Sequence, residues 1–523
     1  MSPRARRAKF PRVKGKVYLI GAGPGDPGLI TLRGVSALGR ADVVLYDALA
    51  HPALLKHARR GAELRSVGKR YGEESFSQEA INRELVELAH AGKLVARLKG
   101  GDPLLFARGA EEVETLARAG IPFEIIPGVS SPVGGAAYAG ISLTHRDLSS
   151  SIAFITGTES PGKERTAHDW SKLATATQTL CVIMGMKRLP EITAALVEHG
   201  RDPATPAVVI QWATWPRQRV LEGTVADIAE RAERAHVANP AVVVIGAVAA
   251  LRDRMRWFDK LPLFGKRIAV TRPAQQGEET AREIRDRGAE PMLVPAIEIG
   301  PPPDPVAFAA GLRTLDAYDV VAFTSANGVD ASLDALYTSG RDARAFGRAL
   351  VAAIGPGTEA ALRRRGIVAD VIAQEFRGEG LADAILAALS ARQANPPRVL
   401  LLRALLARDA LPAALRARGV EVDIVAAYET RPSPPATLEL LRRDLEAGAV
   451  DVVMFTSSST VRELCAALGE RARELLSRAL IAVIGPITAD TAREHGLTVA
   501  VAASEYTVAG LLDALERHYA DSP

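Results

Sequence analysis

The chain has 523 residues, of which 48% are hydrophobic and 24% are charged, and its formal net charge is +4. This length predicts about two to four globular domains, and so small a net charge does not indicate a nucleic-acid-binding protein. No apolar run approaches the ~20 residues that span a bilayer, and two cysteines are too few for a disulfide framework or a cysteine metal site. We therefore expect a cytoplasmic, multi-domain protein with no nucleic-acid partner, no membrane partner and no metal.

The basic residues 1–14 lack the apolar segment of a secretory signal and are expected to form a flexible tail. The strand VYLI at 17–20 then leads into the glycine-rich loop GAGPGDPG at 21–28. This loop does not match the dinucleotide-binding fingerprint, because Asp26 stands where the third glycine is required. Its two prolines also remove amide donors that a phosphate would need. The loop is better suited to form a rigid wall beside a neutral or cationic ligand.

A second strand, ADVVLYD at 41–47, precedes the segment LVARLKGGDPLLFARGAEE at 94–112, around which the first half is organised. The apolar start of this segment predicts a buried strand. The pair Gly100 and Gly101 ends the strand with a backbone that a ligand or another loop can approach closely. A strand, a Gly-Gly-Asp-Pro corner and a helix form a ligand-binding shelf at the carboxyl end of a parallel strand. Taken alone, the corner also fits a tight turn before a capped helix.

Strands and helices continue to alternate through 123–140, where the loop PGVSS at 127–131 precedes a helix of small residues. From residue 150 the strands SIAFIT, TLCVIMG, AVVIQW and AVVVIG belong to a further α/β unit that ends near Phe258. A linker at 259–264 follows. The first half is therefore predicted to contain two α/β sub-domains, at about 15–127 and 128–258.

The motifs GAGPGDPG, VGKR, RLKGGDPLLFARGAEE, PGVSSPVGGAAYAG and MGM occur in the order seen in uroporphyrinogen-III C-methyltransferases. Residues 15–258 therefore resemble these members of the tetrapyrrole methylase family. The resemblance implies a two-domain methylase fold that binds S-adenosylmethionine in the cleft between its domains, and a homodimer formed through this half. The implied cofactor contacts are Pro24, Gly100, Gly101, Asp102, Leu105, Ser130, Ser131, Met184 and Ala213.

The chemistry of methyl transfer explains why several of these residue types suit the cofactor. Backbone carbonyls and Asp102 suit a cationic sulfonium and a ribose diol, and in-line displacement obtains much of its rate from positioning. Two positions depart from the family pattern. Ala107 in the FARG motif stands where relatives often have glycine, and Ala213 stands where a cofactor-lining glycine is common.

The same resemblance implies a base and an acid for the pyrrole substrate, which must lose a proton when it is methylated. Asp47 is the implied base and Lys69 the implied acid. Read singly, Asp47 also fits a helix cap, and each cation also fits a solvated surface charge. The substrate carries many carboxylates, which basic residues would bind. The candidates are Lys56, Arg59, Arg60, Arg65, Lys69, Arg70, Arg108, His145 and Arg146.

The second half contains an internal repeat with a spacing of about 131 residues. Arg272 falls opposite Arg403 in this repeat. A duplicated unit of this length predicts two similar α/β lobes rather than a solenoid. The matched segments are 265–299 with 396–430, 319–336 with 451–468, and 350–362 with 480–492.

The strand-end loops of this repeat combine small hydroxyl side chains with exposed amides before a helix, which favours anion binding. A structural N-cap explains each loop equally well. These motifs resemble uroporphyrinogen-III synthase, which would occupy 265–520. The resemblance implies closure of hydroxymethylbilane without a cofactor, with Tyr428 helping the hydroxyl to leave, although Tyr428 also fits an aromatic residue at a strand end. The implied substrate contacts are Thr324, Ser325, Thr456, Ser457 and Thr488.

A proline cluster follows the early segment of each repeat, at 301–303 and at 432–435. Because prolines interrupt sheet ladders and favour extended spacers, we predict that the chain crosses between the lobes at both points. Lobe A would contain 265–299 and 432–520, and lobe B would contain 302–428. Tyr428 would then face the cleft between the lobes.

Together these features predict a bifunctional enzyme of tetrapyrrole synthesis. Its second half would convert hydroxymethylbilane to uroporphyrinogen III, and its first half would methylate this product twice to precorrin-2, on the branch to sirohaem or cobalamin. Two alternatives stay open. The first half fits a methylase of a later corrin precursor, and the second half fits a non-catalytic anion-binding module.

Overall fold

A computed structural model of the protein describes residues 15–59, 61–68, 77–158, 168–375, 377–390, 396–432 and 435–521. The predicted tail at 1–14 and the candidate site residues Arg60, Lys69 and Arg70 lie outside these ranges. The chain divides into two compact units, one with residues up to 266 and 284–290, the other with 267–283 and residues from 291 onwards. Within the described ranges, no helix has both the length and the apolar character needed to cross a bilayer.

Among the described residues, ten strands form the two sheets of the first unit. They are β1 (Lys16–Gly21), β2 (Val43–Tyr46), β3 (Glu63–Ser66), β4 (Leu94–Lys99), β5 (Phe123–Ile126), β6 (Ile152–Thr156), β7 (Thr179–Ile183), β8 (Pro206–Gln211), β9 (Arg219–Thr224) and β10 (Ala241–Ile245). The first sheet is parallel, with the strand order β3-β2-β4-β1-β5, and the second is mixed, with the order β6-β7-β10-β8-β9.

Helices cover these sheets, and their central strands are therefore mainly apolar on both faces, with Arg97 and Lys99 of β4 as buried exceptions. Leu19 and Ile20 on β1 and Leu98 on β4 are fully buried. The helices are α1 (Leu32–Leu38), α2 (Gln78–His90), α3 (Gly109–Arg118), α4 (Ser131–Tyr138), α5 (Trp170–Ala176), α6 (Leu189–Glu198), α7 (Ile228–Arg234) and α8 (Arg252–Met255). Since β2, β4, β1 and β5 are parallel neighbours, the loops that follow them meet at one edge of the sheet.

The helix that follows the PGVSS loop belongs to the core of the second sheet. Ala136 of α4 and Ala139, which follows the helix, lie in one buried cluster with Val208 and Ile210 of β8. The small residues of α4 permit this close contact. The loop at 127–130 therefore connects a strand of the first sheet with a helix packed on the second.

Eleven strands form two further sheets. They are β11 (Arg267–Val270), β12 (Glu290–Leu293), β13 (Ile297–Gly300), β14 (Val320–Phe323), β15 (Leu350–Ala353), β16 (Val371–Ile372), β17 (Arg398–Ala404), β18 (Glu421–Pro432), β19 (Val452–Phe455), β20 (Leu480–Val483) and β21 (Val499–Ala502). One sheet has the order β12-β11-β19-β20-β21, which we call sheet A. The other has the order β13-β18-β17-β14-β15-β16, which we call sheet B.

The helices of this part of the chain follow the same alternation. They are α9 (Ala274–Asp286), α10 (Pro305–Arg313), α11 (Ala326–Thr338), α12 (Pro356–Arg364), α13 (Gly378–Ser390), α14 (Ala410–Arg416), α15 (Pro435–Glu446), α16 (Ser458–Leu468), α17 (Ala472–Leu476), α18 (Pro486–Glu494) and α19 (Val508–Asp521). The repeat is visible in their geometry. Ser325 and Ser457 cap α11 and α16 with nearly identical backbone angles, φ −163° and ψ 154° against φ −164° and ψ 156°.

Next to the two predicted crossings, β13 and the end of β18 are hydrogen-bonded to each other, and residues 433 and 434 of the second crossing lie outside the described residues. β13 pairs antiparallel with the end of β18, so that Ile297 lies opposite Pro432 and Gly300 lies opposite Glu429. Residues 297–300 thus belong to sheet B, a few residues before the boundary expected at 299–302. The reason is that β18 extends to residue 432 and offers them a free edge.

Candidate functional site

The glycine-rich loops after β1 and β4 are joined by backbone hydrogen bonds. The amide of Gly101 donates to the carbonyl of Gly23 at 2.8 Å, and the amide of Gly23 donates to the carbonyl of Gly101 at 3.2 Å. The loop after β5 lies equally close. A Cβ atom on Gly21 would lie 2.5 Å from Cα of Gly128, and one on Gly128 would lie 2.5 Å from the Gly101 carbonyl oxygen. Only glycine fits these positions, so the sequence builds a narrow backbone cradle there.

Asp102 holds this cradle together. Its Oδ1 accepts a hydrogen bond from the amide of Leu104 at 2.8 Å, and its Oδ2 accepts one from the amide of Gly128 at 3.1 Å. The sequence suggested Asp102 as a partner of a ribose diol. In the structure its carboxylate also joins the loop after β4 to the loop after β5 through a hydrogen bond. Each oxygen retains acceptor capacity for a further donor.

Ser130 and Ser131 face the shelf at Gly101. A Cβ atom on Gly101 would lie 3.7 Å from the amide nitrogen of Ser131 and 3.9 Å from Cα of Ser130. Gly101 itself has φ +68°, a left-handed conformation that favours glycine. The predicted contacts at Gly100, Gly101, Ser130 and Ser131 are therefore neighbours in space, and Leu105 follows them in the loop that leads to α3.

The second sheet contributes the opposite wall of this region. A Cβ atom on Gly134 would lie 2.7 Å from Cγ of Pro24, and one on Gly135 would lie 2.9 Å from Cβ of Ala213. Asp26 connects the same loops, because its amide donates to Oγ1 of Thr214 at 2.9 Å. Pro24 and Ala213 thus both lie against α4.

Left-handed backbone conformations in residues other than glycine concentrate around this region. β7 and β8 both run antiparallel to β10, so the loops that follow them leave the sheet at the same edge. Such conformations cost of order 1–3 kcal/mol each and cluster at functional sites. The residues concerned are Phe106 and Arg108 after β4, Met184 after β7, and Trp212 and Thr214 after β8.

Asp47, the candidate base, follows β2 at the same edge of the first sheet. Its carboxylate is 29% exposed and accepts a hydrogen bond at 2.5 Å from Arg97, whose side chain is only 2% exposed. Burial alone would lower the pKa of Arg97, but the carboxylates of Asp47 and Glu112 outweigh this effect and raise it. Arg97 therefore stays charged and fixes the orientation of Asp47. The candidate acid, Lys69, lies outside the described residues, although Gly68 before it packs against Ala48.

Glu112 and two cations form a buried cluster beneath the candidate base. Oε1 of Glu112, which is fully buried, accepts from Nε of Arg97 at 3.2 Å and from Nζ of Lys99 at 2.8 Å. The sequence analysis did not identify this cluster. The available signal was the presence of Arg97 and Lys99 inside an otherwise apolar strand.

We expect Glu112→Gln to destabilise the first unit by about 3–5 kcal/mol, because it leaves buried Lys99 without its carboxylate partner and Arg97 with Asp47 alone. Thermal and urea unfolding of the full chain would measure this change. Glu114→Gln on the same helix is the matched control, since the exposed pair of Glu114 with Arg118 contributes about 0–1 kcal/mol. Equal stability of the two variants would contradict a structural role of the cluster.

Several of the candidate substrate-binding cations are already paired with carboxylates. Arg59 pairs with Asp42, Arg65 pairs with Glu63 and Glu84, and Arg108 pairs with Glu111. Hydrogen bonding to Glu111 raises the pKa of Arg108. His145 lies 4.0 Å from Asp147, and Lys56 is in a short 3₁₀ helix after β2. Substrate binding by these side chains therefore stays a prediction.

In the second half, Ser325 and Tyr428 lie together at the carboxyl edge of sheet B. Their hydroxyl oxygens are 3.0 Å apart, and Ser325 Oγ also accepts from the amide of Gly328 at 3.1 Å. Tyr428 is 7% exposed, with its carbonyl bound to the amide of Leu405. Thr324 precedes Ser325 in the same loop. Two predicted residues from distant parts of the sequence are therefore brought into contact.

The corresponding loop of sheet A contains Thr456 and Ser457. Oγ of Ser457 accepts from the amide of Thr460 at 3.3 Å and lies 2.9 Å from Oγ of Ser459. Thr488 is buried in the first turn of α18, at 5% exposure. These side chains cap and pack the helices that follow the strands, and substrate contact by them stays a prediction. Among the described residues, no group of His, Cys, Asp and Glu side chains is arranged to hold a metal ion.

Comparison with known proteins finds two families in one chain. The family described as "Tetrapyrrole (Corrin/Porphyrin) Methylases" matches residues 16–229, and the family described as "Uroporphyrinogen-III synthase HemD" matches residues 278–513. A crystal structure of uroporphyrin-III C-methyl transferase from Thermus thermophilus, complexed with S-adenyl homocysteine, is similar to the first half. It is 39% identical, covers 45% of this chain and 100% of its own, and has a TM-score of 0.40.

The relatives differ in how much of the chain they match. "Siroheme synthase 2" of Aeromonas hydrophila is 53% identical over 245 residues, which is 47% of this chain, and the chain spans about half (51%) of that protein's length. "Porphyrin biosynthesis protein HemD" of Ruminiclostridium josui is 34% identical over 501 residues, covering 96% of this chain and 97% of the relative. The likeness to this relative includes both halves in the same order. The chain therefore belongs to the family of tetrapyrrole biosynthesis proteins that join a tetrapyrrole methylase to a uroporphyrinogen-III synthase of the HemD type.

Proposed function

We propose that the protein converts hydroxymethylbilane to uroporphyrinogen III with its second half and methylates that product twice to precorrin-2 with its first half. The observation that carries this proposal is the match of both halves, over 501 residues, to one HemD protein of the same organisation. The contact of Ser325 with Tyr428 and the glycine cradle at 21–28, 100–102 and 127–131 support a separate site in each half.

The methyl donor in this proposal is S-adenosylmethionine, which supplies an electrophilic methyl group on a sulfonium. The residues present fit such a ligand. The cradle exposes backbone rather than side chains, so a bulky nucleoside can approach it closely. Pro24 and Pro27 remove amide donors beside a ligand that carries positive charge. The domain with these sites is proposed to cover 15–258, with sub-domains at 15–127 and 128–258.

Asp47 takes the proton from the methylated pyrrole in this scheme. Its carboxylate is held by Arg97 at the edge of the sheet where the cradle lies. Lys69 would act as the acid. A cytoplasmic location and a homodimer formed through this half belong to the same proposal, as does the branch to sirohaem or cobalamin.

The synthase is proposed to cover 265–520, with lobe A around sheet A and lobe B around sheet B. The cleft between the lobes would bind the bilane through its carboxylates. Ser325 and Tyr428 lie at the carboxyl edge of sheet B, and the Tyr428 hydroxyl would help the hydroxyl of the bilane to leave. The paired segments β13 and the end of β18 would guide opening and closing of the lobes.

One experiment tests both halves. The purified chain is supplied with hydroxymethylbilane, with and without S-adenosylmethionine, and the products are identified by chromatography and mass spectrometry. We expect uroporphyrinogen III without the methyl donor and a dimethylated product with it. A chain that methylates added uroporphyrinogen III but does not close the bilane would leave the second half as an anion-binding module. A chain that closes the bilane but does not methylate the product would indicate a methylase of a later precursor.

Tyr428→Phe should slow ring closure about tenfold or more, because it removes the hydroxyl that contacts Ser325 and nothing else. The rate of uroporphyrinogen III formation is the measurement, and unfolding should be unchanged. Tyr318→Phe is the control, because Tyr318 bonds Asp423 at 2.8 Å and precedes β14, at the opposite edge of sheet B. Equal rates of ring closure for Tyr428→Phe and the unmodified chain would indicate that Tyr428 only packs in the core.

A further inference from the structure

Arg272 lies in the loop that follows β11, at the edge of sheet A where the candidate substrate loops lie. β11 and β19 are parallel, with Val270 opposite Met454, and the loop containing Thr456 follows β19 at the same edge. Thr271 fixes the start of this loop, because it is fully buried and its hydroxyl donates to the carbonyl of Met454 at 2.9 Å. The position of Arg272 at the edge is therefore fixed by the sheet itself.

A chain of hydrogen bonds leads from Arg272 to the loop of Ser325. Nη2 of Arg272 donates to Oε1 of Gln276 at 3.0 Å, and Nε2 of Gln276 donates to Oδ1 of Asn327 at 2.9 Å. Asn327 lies in the first turn of α11, two residues after Ser325, which contacts Tyr428. The guanidinium of Arg272 is thus linked through Gln276 to the first turn of the helix that Ser325 caps.

The charge of Arg272 has no carboxylate partner among the described residues. Its polar contacts are Gln276 and Oγ1 of Thr280, which are neutral, although Glu278 occupies the position that Asp409 has in the repeat. Burial lowers the pKa of Arg272, and the carboxylates of Glu279 and Glu283 oppose this only in part. A guanidinium has five N–H donors, so several stay available to a ligand.

The second copy of the repeat provides an internal comparison. Arg403, the equivalent of Arg272, is buried at 10% exposure and donates to the carboxylate of Asp409 at 2.8 Å. One copy therefore contains the anion that pairs with its arginine, whereas among the described residues the other copy gives its arginine only neutral hydrogen-bond partners. A planar guanidinium is also the group that binds a carboxylate most specifically, through two parallel hydrogen bonds.

We propose that Arg272 binds a carboxylate side chain of the linear tetrapyrrole and so orients it against Ser325 and Tyr428. This inference rests on the proposed synthase function, because the ligand is the substrate of that reaction. Arg272 is a specificity-determining residue in this role and takes no part in the chemical step. Gln276 and Asn327 hold the guanidinium in position and couple the two lobes at the site.

The test compares Arg272→Gln with Arg403→Gln in the full chain. Hydroxymethylbilane is supplied without S-adenosylmethionine, and the KM and kcat of ring closure are determined separately. We expect Arg272→Gln to raise KM about tenfold or more, with a smaller change in kcat, since a charge-assisted hydrogen bond is lost. Arg272→Lys should recover part of the affinity, and Arg403→Gln should leave KM unchanged. Methylation of added uroporphyrinogen III should be the same in all variants.

Two results would overturn the proposal. One is an unchanged KM in Arg272→Gln, and the other is an equal loss of activity in both glutamine variants, which would indicate a structural role. Binding of uroporphyrin III, a stable oxidised product with the same carboxylates, is measured in parallel by calorimetry. If the chain closes no bilane but Arg272→Gln still weakens this binding, the carboxylate site stands and the proposed synthase activity fails.

Discussion

Replacing Asp47 with asparagine should lower the rate of methyl transfer by ~10²–10⁴, which is the usual contribution of general acid–base catalysis. The substitution removes the charge and the proton acceptor but almost no volume. S-adenosylmethionine binding should persist, because the cradle at Gly23, Gly101 and Gly128 contains no atom of Asp47. Single-turnover methylation of uroporphyrinogen III measures the first quantity, and calorimetric titration measures the second.

Asp42→Asn is the matched control for this variant. Asp42 lies just before β2, at the opposite end of the strand that Asp47 follows, and the two carboxylates have similar exposure, 26% and 29%. Each is paired with an arginine, so each variant loses an ion pair. Normal turnover in Asp47→Asn, or an equal loss in Asp42→Asn, would show that Asp47 only orients Arg97 and caps the end of β2.

The strands that carry the site could be predicted from the sequence because they are buried on both faces. VYLI, ADVVLYD and the start of the 94–112 segment are continuous apolar runs, and they form β1, β2 and β4. β3 and β9 were not predicted. Both are edge strands with polar sequences, ELRS and RVLEGT, whose pairing is determined by their neighbours in the sheet rather than by their own hydrophobic pattern.

The candidate site was predicted to the extent that its residues follow strands. Glycines in strand-end loops are visible in a sequence, and their mutual contact follows from the order β2-β4-β1-β5. The buried cluster of Arg97, Lys99 and Glu112 was not predicted, because each charge alone is typical of a surface. Their burial depends on three elements meeting, and a linear pattern does not contain that information.

The second half shows the same limit. The repeat predicts similar lobes but not which hydroxyls touch, and the contact of Ser325 with Tyr428 joins residues 103 positions apart. The sequence also did not predict that Arg272 and Arg403 differ in their carboxylate partners. Glu278 and Asp409 are both acids at equivalent positions, and only the fold shows that Asp409 alone pairs with its arginine.

Gly101→Val should abolish measurable binding of S-adenosylmethionine, with an affinity loss of at least ~100-fold, equivalent to ~2.8 kcal/mol. Two effects combine. At φ +68° a β-branched side chain is strained, and its methyl groups would extend from a Cβ that already lies 3.7 Å from the amide of Ser131. Valine therefore fills the space between the shelf and the Ser130–Ser131 loop, where the nucleoside is proposed to lie. Calorimetric titration of the full chain is the measurement.

Gly120→Val separates these two effects. Gly120 ends α3 with φ +66°, nearly the angle of Gly101, and a Cβ atom there would have no neighbour within 4 Å. The Gly120→Val variant has the same backbone strain, but its valine side chain fills no ligand space. The affinity of this variant for S-adenosylmethionine should therefore equal that of the unmodified chain. Circular dichroism and thermal unfolding of both variants report whether the first unit has folded. Unchanged affinity in Gly101→Val would show that the cofactor pocket does not lie at the cradle. Equal losses in both variants would show that backbone strain causes the effect, because only a ligand held against the shelf distinguishes position 101 from position 120.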